Sequence, residues 1–307
     1  MTTIGFIGLG NMGGRMTRRI VDAGIEVLGF DAKTDNIAPS GARPAASAAE
    51  LAASSDIVFL SLPESRIVEA VVLGADGIAS HLRAGAIVVD LSTSSPASTR
   101  RIHAALAERG VAYLDAGISG GAAAAEKGQL TLMVGGETEA LATVQPYLAP
   151  FATNVFHVGA SGAGHVTKLL NNFLNAIALS ATAEVMIAGK KAGLDLAVLL
   201  DVLNNSSGVN FATLNRFPKI ITGDYLKGGL TNTLMLKDVV LYTELIAELG
   251  VAGLNAPGPL AAFGLARQLG YADEISNTVV DAIGDISGGV RLHTPESPES
   301  PTSGEQS

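Results

Sequence analysis

At 307 residues the chain exceeds the usual size of one compact domain, and with 48% hydrophobic against 16% charged residues it has ample apolar surface to bury, so two domains are expected. Cysteine is absent, which excludes disulfide scaffolds, thiolate nucleophiles and cysteine-ligated zinc. A net charge of −9 with no local Lys/Arg run repels phosphate backbones and argues against nucleic acid as a partner.

From Thr3 to about Gly159, short β-rich runs alternate with Ala-rich amphipathic stretches, the pattern of successive βα units building a mostly parallel sheet. Strands are expected at 4–7, 26–30, 57–61, 86–91, 111–114, 130–134 and 154–158. After Gly164 the pattern turns helical: 166–192 reads as one helix, roughly 40 Å long at 1.5 Å per residue. Asn175, Ser180, Thr182 and Glu184 interrupt its apolar run, so it is expected to be a buried helix and not a membrane span. Further periodic segments at 196–203, 235–249 and 259–269 are separated by Gly, Asn and Pro breakers. The expected organisation is therefore an α/β, doubly wound Rossmann domain over residues 1–162 and an all-helical domain over 163–290, whose long helix at 163–192 joins the two. Residues 291–307 are polar and Pro-rich and are expected to be a disordered tail. No secretion signal precedes Ile4, so a soluble, cytoplasmic protein without membrane attachment is expected.

Immediately after the first strand comes Gly8-Leu9-Gly10-Asn11-Met12-Gly13, a GxGxxG opening a helix. In that context Gly8 permits the tight turn, Gly10 lets a pyrophosphate approach the backbone and Gly13 lets helix and strand pack closely, with Asn11 and Met12 between them. The second strand ends in Asp31, eighteen residues past Gly13, where a carboxylate accepts ribose hydroxyls and repels a 2′-phosphate. NAD is the expected cofactor, with NADP the alternative because Lys33 is near. Leu62 and Pro63, after the third strand, fall where a Rossmann crevice passes the cofactor. His81, His103 and His157 are scattered without carboxylates at ligand spacing, and no metal is expected.

Three further motifs follow in order: Asp90-Leu91-Ser92-Thr93-Ser94-Ser95-Pro96, Asp115-Ala116-Gly117-Ile118-Ser119-Gly120-Gly121, and Gly162 to Asn172 with Lys168 inside it. Together with the glycine turn, over nearly all of Ile4 to Gly289, the chain resembles the β-hydroxyacid dehydrogenase family, which includes 3-hydroxyisobutyrate dehydrogenase and tartronate semialdehyde reductase. The resemblance implies a substrate held between the two domains, and homodimers or homotetramers. It further implies that Ser92, Ser119, Gly120 and Gly121 bind the substrate carboxylate, that Thr93 touches the cofactor, that Lys168 is catalytic and that Asn172 orients the substrate. Lys237 matches a family lysine that lines the site near the nicotinamide, with Asp238 supporting it. One departure is Gly117, where the family usually has proline, which suggests a looser turn before Ser119.

The residues themselves support this chemistry. Lys168, Asn172 and Asn175 are spaced i, i+4, i+7 and share one helix face amid Leu169, Leu170, Phe173 and Leu174. An amine beside apolar surface has its charged form disfavoured by desolvation, which suits a base that takes an alcohol proton as hydride leaves the carbon. The expected activity is NAD-dependent oxidation of a small 3-hydroxy acid to its semialdehyde, with Lys168 as general acid/base and Asn172 fixing the oxygen. Two alternatives stand beside it: NADPH-dependent reduction of an aldehyde acid or an imine, and a cofactor-binding interaction protein without turnover. Imine reductases of this kind generally lack the lysine kept here.

Overall fold

The computed structural model describes residues 2–226 and 228–293. One compact unit comprises the chain up to Phe173 together with Asp238–Gly253, and a second comprises Leu174–Lys237 and the chain from Leu254 on.

The first unit is built on one eight-stranded sheet of β1 (Ile4–Ile7), β2 (Val27–Phe30), β3 (Arg43–Pro44), β4 (Ile57–Leu60), β5 (Ile87–Asp90), β6 (Ala112–Ser119), β7 (Leu130–Gly135) and β8 (Ala152–Gly159). The strand order is β3-β2-β1-β4-β5-β6-β7-β8, and every neighbouring pair is parallel except β6 and β7. Alternation along the strands explains why the sheet carries helices on both faces. Ile4 and Phe6 of β1, Ile57 and Phe59 of β4, and Ile87 and Val89 of β5 enter one core. Ile7, Val58, Leu60 and Val88 enter the other. Phe59 joins the first core through Phe6, stacked at 5.7 Å, and Phe151, edge-on at 6.3 Å. The covering helices are α1 (Gly13–Asp22), α2 (Ile37–Ser40), α3 (Ala48–Ser54), α4 (Ser65–Leu73), α5 (Pro96–Ala107), α6 (Gly121–Glu126) and α7 (Thr138–Leu148).

The chain order reverses between β1 and β4, so the crevice beyond their C-terminal ends is the topological switch point where open α/β sheets bind ligands. Two local features depart from the sequence reading. The two-residue β3 has no periodic signal of its own and is recruited by Leu28 and Gly29 of β2. And β6 does not end at Leu114: it continues to Ser119, with Gly117 paired opposite Met133. The expected loose turn at Gly117 is therefore a paired strand, because glycine, unlike proline, keeps the N–H that a ladder needs.

Helix α8 (Ala163–Lys191) begins in the first unit and ends in the second. Its length and composition would suffice to cross a membrane, yet 56% of its most apolar window is buried inside the protein, as in a core helix. The second unit continues with α9 (Leu196–Asn204), α10 (Phe211–Asn215), α11 (Phe217–Ile220), α12 (Asn232–Glu248), α13 (Pro257–Ala266) and α14 (Val279–Ile286). Side chains define the starts of two of these: Asp195 accepts from the N–H groups of Ala197 and Val198, and Asn210 and Thr213 form a reciprocal capping box. The first described residues of the expected tail are packed. Arg291 pairs with Asp285 at 2.5 Å, Leu292 is 4% exposed, and His293 meets the Tyr225 ring edge-on. The hydrogen bond from Arg291 holds the Asp285 carboxyl below the usual carboxylate range. The tail expected at 291–307 thus cannot begin before residue 294, and 294–307 lie outside the described residues.

The expected break at residue 162 also shifts. The first turns of α8 belong with the sheet because Gly164 lies directly on it, where a Cβ would come within 2.2 Å of the Asp115 carbonyl oxygen and 2.4 Å of that of Met133.

Candidate functional site

The glycine turn lies at the switch point because β1 and β4 run side by side to Ile7 and Leu60. Gly8 adopts φ 91°, and a Cβ there would come within 2.3 Å of the Ser61 carbonyl oxygen. A Cβ on Gly13 would sit 1.8 Å from the Gly8 carbonyl oxygen, so only glycine lets α1 start this close to the turn. Gly10 is exposed, and a Cβ on it would meet nothing within 4 Å. The N-terminus of α1, at Met12, has no side-chain cap. Open space beside uncapped helix N–H groups fits a dinucleotide pyrophosphate. A cleft of about 500 Å³ adjoins it, lined among others by Leu9, Gly10, Asn11, Arg15, Asn36 and Ser40. Arg15, which the motif reading passed over, donates through Nη1 to the carbonyl and side-chain oxygens of Asn11, each at 2.6 Å, and pairs through Nε with Glu126 at 2.7 Å.

Asp31 joins the end of β2 to this turn. Its Oδ2 accepts from the Leu9 N–H at 2.6 Å, and its Oδ1 accepts from the Lys33 N–H at 2.7 Å and Asn36 Nδ2 at 3.1 Å. A carboxylate has about four acceptor positions, so ribose hydroxyls still find lone pairs on it. Lys33 is exposed.

At the end of β5, the buried Asp90 organises the segment that follows. It accepts from the Ser92 N–H at 3.0 Å, Ser94 Oγ at 3.4 Å and Tyr113 Oη at 2.9 Å. Burial, with the nearby Asp90 and Asp115 charges, pushes the Tyr113 phenol well above its usual range, so it remains a donor. Held this way, Ser92 Oγ accepts from the Leu62 N–H at 2.9 Å, joining the β5 and β4 ends. Its own O–H stays available to donate. Thr93 is partly buried and Pro63 exposed on the same two segments.

Helix α8 is positioned by a second buried carboxylate. Asp115, in mid-β6, accepts from the N–H groups of Gly162 at 2.7 Å and His165 at 2.8 Å, anchoring the helix start. His165 is fully buried; its Nδ1 meets Thr99 Oγ1 at 2.7 Å and its Nε2 lies 3.9 Å from Asp90. Lys168 follows one turn later, partly buried, and its Cβ would be 2.5 Å from a Cβ on Gly117. The bare backbone of β6 thus sets where the lysine stem leaves the helix. Two residues on, β6 ends at Ser119 and turns through Gly120 (φ 124°) and Gly121 (φ 68°) into α6.

Asn172, one turn beyond Lys168, is 4% exposed, and its Nδ2 donates to Asp238 Oδ2 of α12 at 2.5 Å. Stacking of Phe173 on Tyr242, with ring centroids 3.8 Å apart, fixes the same two helices in register. Lys237 precedes Asp238 on α12, partly buried, as the last residue of its segment of the second unit. Asn175, which shares the helix face of Lys168 and Asn172, also falls in the second unit, whereas the other residues given a site role from the sequence fall in the first. The sequence reading missed Asp90, Asp115, His165 and Arg15. Both aspartates open quoted motifs, and an acidic residue inside an apolar strand was the available signal.

Comparison with known proteins places this arrangement. Residues 3–159 match the family profile described as the NAD binding domain of 6-phosphogluconate dehydrogenase, and residues 162–278 match the one described as NAD-binding of NADP-dependent 3-hydroxyisobutyrate dehydrogenase. The chain is 40% identical to the NAD-dependent L-serine dehydrogenase of Pseudomonas aeruginosa over 89% of its own length and 95% of the relative's. It is 36% identical to the 2-(hydroxymethyl)glutarate dehydrogenase of Eubacterium barkeri, covering 93% and 96%. The 3-hydroxyisobutyrate dehydrogenase of Mycobacterium tuberculosis, solved with L-serine, superposes with a TM-score of 0.83 at 29% identity, covering 92% of this chain and 99% of that one. With a Rossmann unit that fits NAD or NADP, and with profiles and relatives spanning most of its length, the chain belongs to the β-hydroxyacid dehydrogenase family of NAD(P)-dependent oxidoreductases.

Proposed function

We propose that the protein oxidises a small 3-hydroxy acid to its semialdehyde with NAD, and that Lys168 takes the hydroxyl proton. The observation that carries this reading is the placement of Lys168 over the glycine backbone of β6, one helical turn before the buried Asn172–Asp238 pair. Bound nicotinamide supplies the hydride acceptor. Gly8, Gly10, Asn11, Met12 and Gly13 would hold the pyrophosphate, with Leu62, Pro63 and Thr93 beside the dinucleotide and Asp31 on its ribose. Asp31, tied to the turn by the Leu9 N–H, favours NAD over NADP by repelling a 2′-phosphate.

The chain's own groups divide the remaining work. Ser92, which accepts from the Leu62 N–H, keeps its own proton to donate to the substrate carboxylate. Ser119, Gly120 and Gly121 offer further donors at the end of β6. Asn172, with one N–H committed to Asp238, holds the reacting oxygen toward Lys168. Lys168 in its neutral form accepts the hydroxyl proton as hydride leaves the carbon, and in reverse its ammonium returns that proton. Lys237 lines the substrate side next to Asp238. We also propose a cytoplasmic location and a homodimer or homotetramer, the assembly supported by large apolar side chains left open in the second unit: Leu174 is 67%, Val198 59% and Leu254 85% exposed.

The test is NADH formation at alkaline pH across 3-hydroxy acids differing at the far end, including 3-hydroxyisobutyrate, serine, threonate and glycerate. Lys168→Ala is expected to lose roughly 10²–10⁴-fold in kcat while calorimetric NAD binding is retained. Retention of most activity would remove Lys168 from the mechanism, and a strong preference for NADP would overturn the role given to Asp31.

A further inference from the structure

We infer that His165 is a positioning residue: its imidazolium pairs with Asp90 and so holds Ser92 in register with the start of α8, the helix that carries Lys168; this rests on the dehydrogenase reading above. Every residue involved lies in the first unit. His165 is wholly buried, and so are Asp90 and Asp115, the two carboxylates beside it. The reaction outlined above gives this buried histidine no part.

The protons on the ring follow from its neighbours. Thr99 on α5 has one hydroxyl proton, and its Oγ1 donates it to the Ser95 carbonyl at 3.1 Å. Thr99 Oγ1 can therefore only accept from His165 Nδ1, 2.7 Å away, so Nδ1 carries a proton. The backbone N–H of His165 donates to Asp115 Oδ2 at 2.8 Å, so backbone and ring are both held and the direction of Nε2 is set. Nε2 lies 3.9 Å from Asp90 Oδ2 and has no hydrogen-bond partner among the described residues. Without a proton it would turn a lone pair toward a carboxylate oxygen inside the protein, with both groups desolvated. With one, the ring is a cation beside an anion that already accepts from the Ser92 N–H, Ser94 Oγ and Tyr113 Oη.

The consequence falls on Ser92. Asp90 sets that residue through the 3.0 Å bond to its N–H, and His165 sits one turn before Lys168 on α8. The pair thus ties the group proposed for the substrate carboxylate to the helix start bearing the group proposed for the hydroxyl. Because the carboxylate is held alike in ground and transition states, loss of the tie acts on KM more than on kcat.

The experiment uses two amides of different length. Gln places an N–H near the position of Nε2 and keeps a donor toward Asp90, whereas Asn places one near Nδ1, keeps Thr99 and leaves Asp90 without its partner. The assay takes whichever of 3-hydroxyisobutyrate and L-serine turns over faster, with NAD at neutral pH. His165→Asn should raise KM roughly tenfold and change kcat by less than about threefold, the loss expected for a charged contact. His165→Gln should stay within about threefold of the wild type in both. In a Ser92→Ala background the effect of His165→Asn on KM should fall below about twofold, because its route is gone. Equal effects of Asn and Gln, or additivity with Ser92→Ala, overturn the positioning role. Nitrogen NMR of the ring in the NAD-bound wild type at neutral pH reads the pair directly: both nitrogens should be protonated, and a bare Nε2 overturns the proposal even where neither variant folds. Absence of NADH with every hydroxy acid would instead refute the dehydrogenase reading, and the NMR still decides the ion pair.

Discussion

A side-chain amide is nearly symmetric in shape, so what it offers a substrate depends on which end its neighbours claim. Asp238 is an acceptor, and by taking Nδ2 of Asn172 at 2.5 Å it fixes that amide one way round. Asp238→Asn replaces an acceptor with a group that can present either end, and the orientation of Asn172 is no longer determined. Loss of a hydrogen bond to a charged group is worth about 1.5–3 kcal/mol, so kcat should fall roughly 10–100-fold. Single-turnover kinetics in the variant, with NAD affinity measured in parallel, checks this; a fall in NAD affinity with kcat preserved would show that Asp238 acts elsewhere. At this scale the sequence was informative wherever a functional group occupies an ordered motif. Lys168 and Asn172 share a helix face by spacing alone, and Asp238 follows a lysine already singled out. Asp90 and Asp115 were harder to see, because their effect runs through N–H groups of Ser92, Gly162 and His165, two to fifty residues away, and such pairings exist only after folding.

Among the elements, α8 depends most on what lies beneath it. Gly164 rests against the backbones of β6 and β7, and Gly117 lies beneath the stem of Lys168, so the helix is seated by absent side chains as much as by contacts. The nearest atoms to a methyl group on Gly164 are all backbone, the Asp115 and Met133 carbonyl oxygens at 2.2 and 2.4 Å and the Gly135 nitrogen at 2.9 Å, and none of them can rotate away. Gly164→Ala should therefore cost roughly 2–3 kcal/mol, seen as a fall in Tm at about 2–4 °C per kcal/mol for a unit of this size. Activity should fall further than stability explains, because Lys168 moves with the helix. Gly264→Ala, in the middle of α13 where a Cβ meets nothing within 4 Å, is the control and should be neutral or slightly stabilising. Equal melting of the two variants would show that α8 is not seated as described. Helix and strand periodicity located seven of the eight strands and the long helix, since each buries a face whose period is written in consecutive residues. The extension of β6 past Leu114 was not legible, because Gly117 and Ser119 carry no strand propensity and are held by pairing with β7.

For the whole molecule, a net charge of −9 keeps chains apart, while open apolar side chains draw them together. Isolated exposed hydrophobics are ordinary on a monomer, whereas several on one face favour assembly. Val198 and Val202, 59% and 56% exposed, are four residues apart on α9 and share one face, and Leu174 and Leu254 in the same unit are 67% and 85% exposed. Covering a side chain of this size is worth about 1.5–3 kcal/mol, so a two-fold interface, which buries each residue twice, gathers a sizeable association energy from few positions. Light scattering on the purified chain should report at least twice its 31.2 kDa mass. The double variant Val198→Glu with Val202→Glu places two like charges per chain in that face, and it should shift the mass toward the monomer while leaving NAD binding in the first unit intact. A wild type that scatters as a single chain at micromolar concentration would show that these side chains face solvent in the working enzyme.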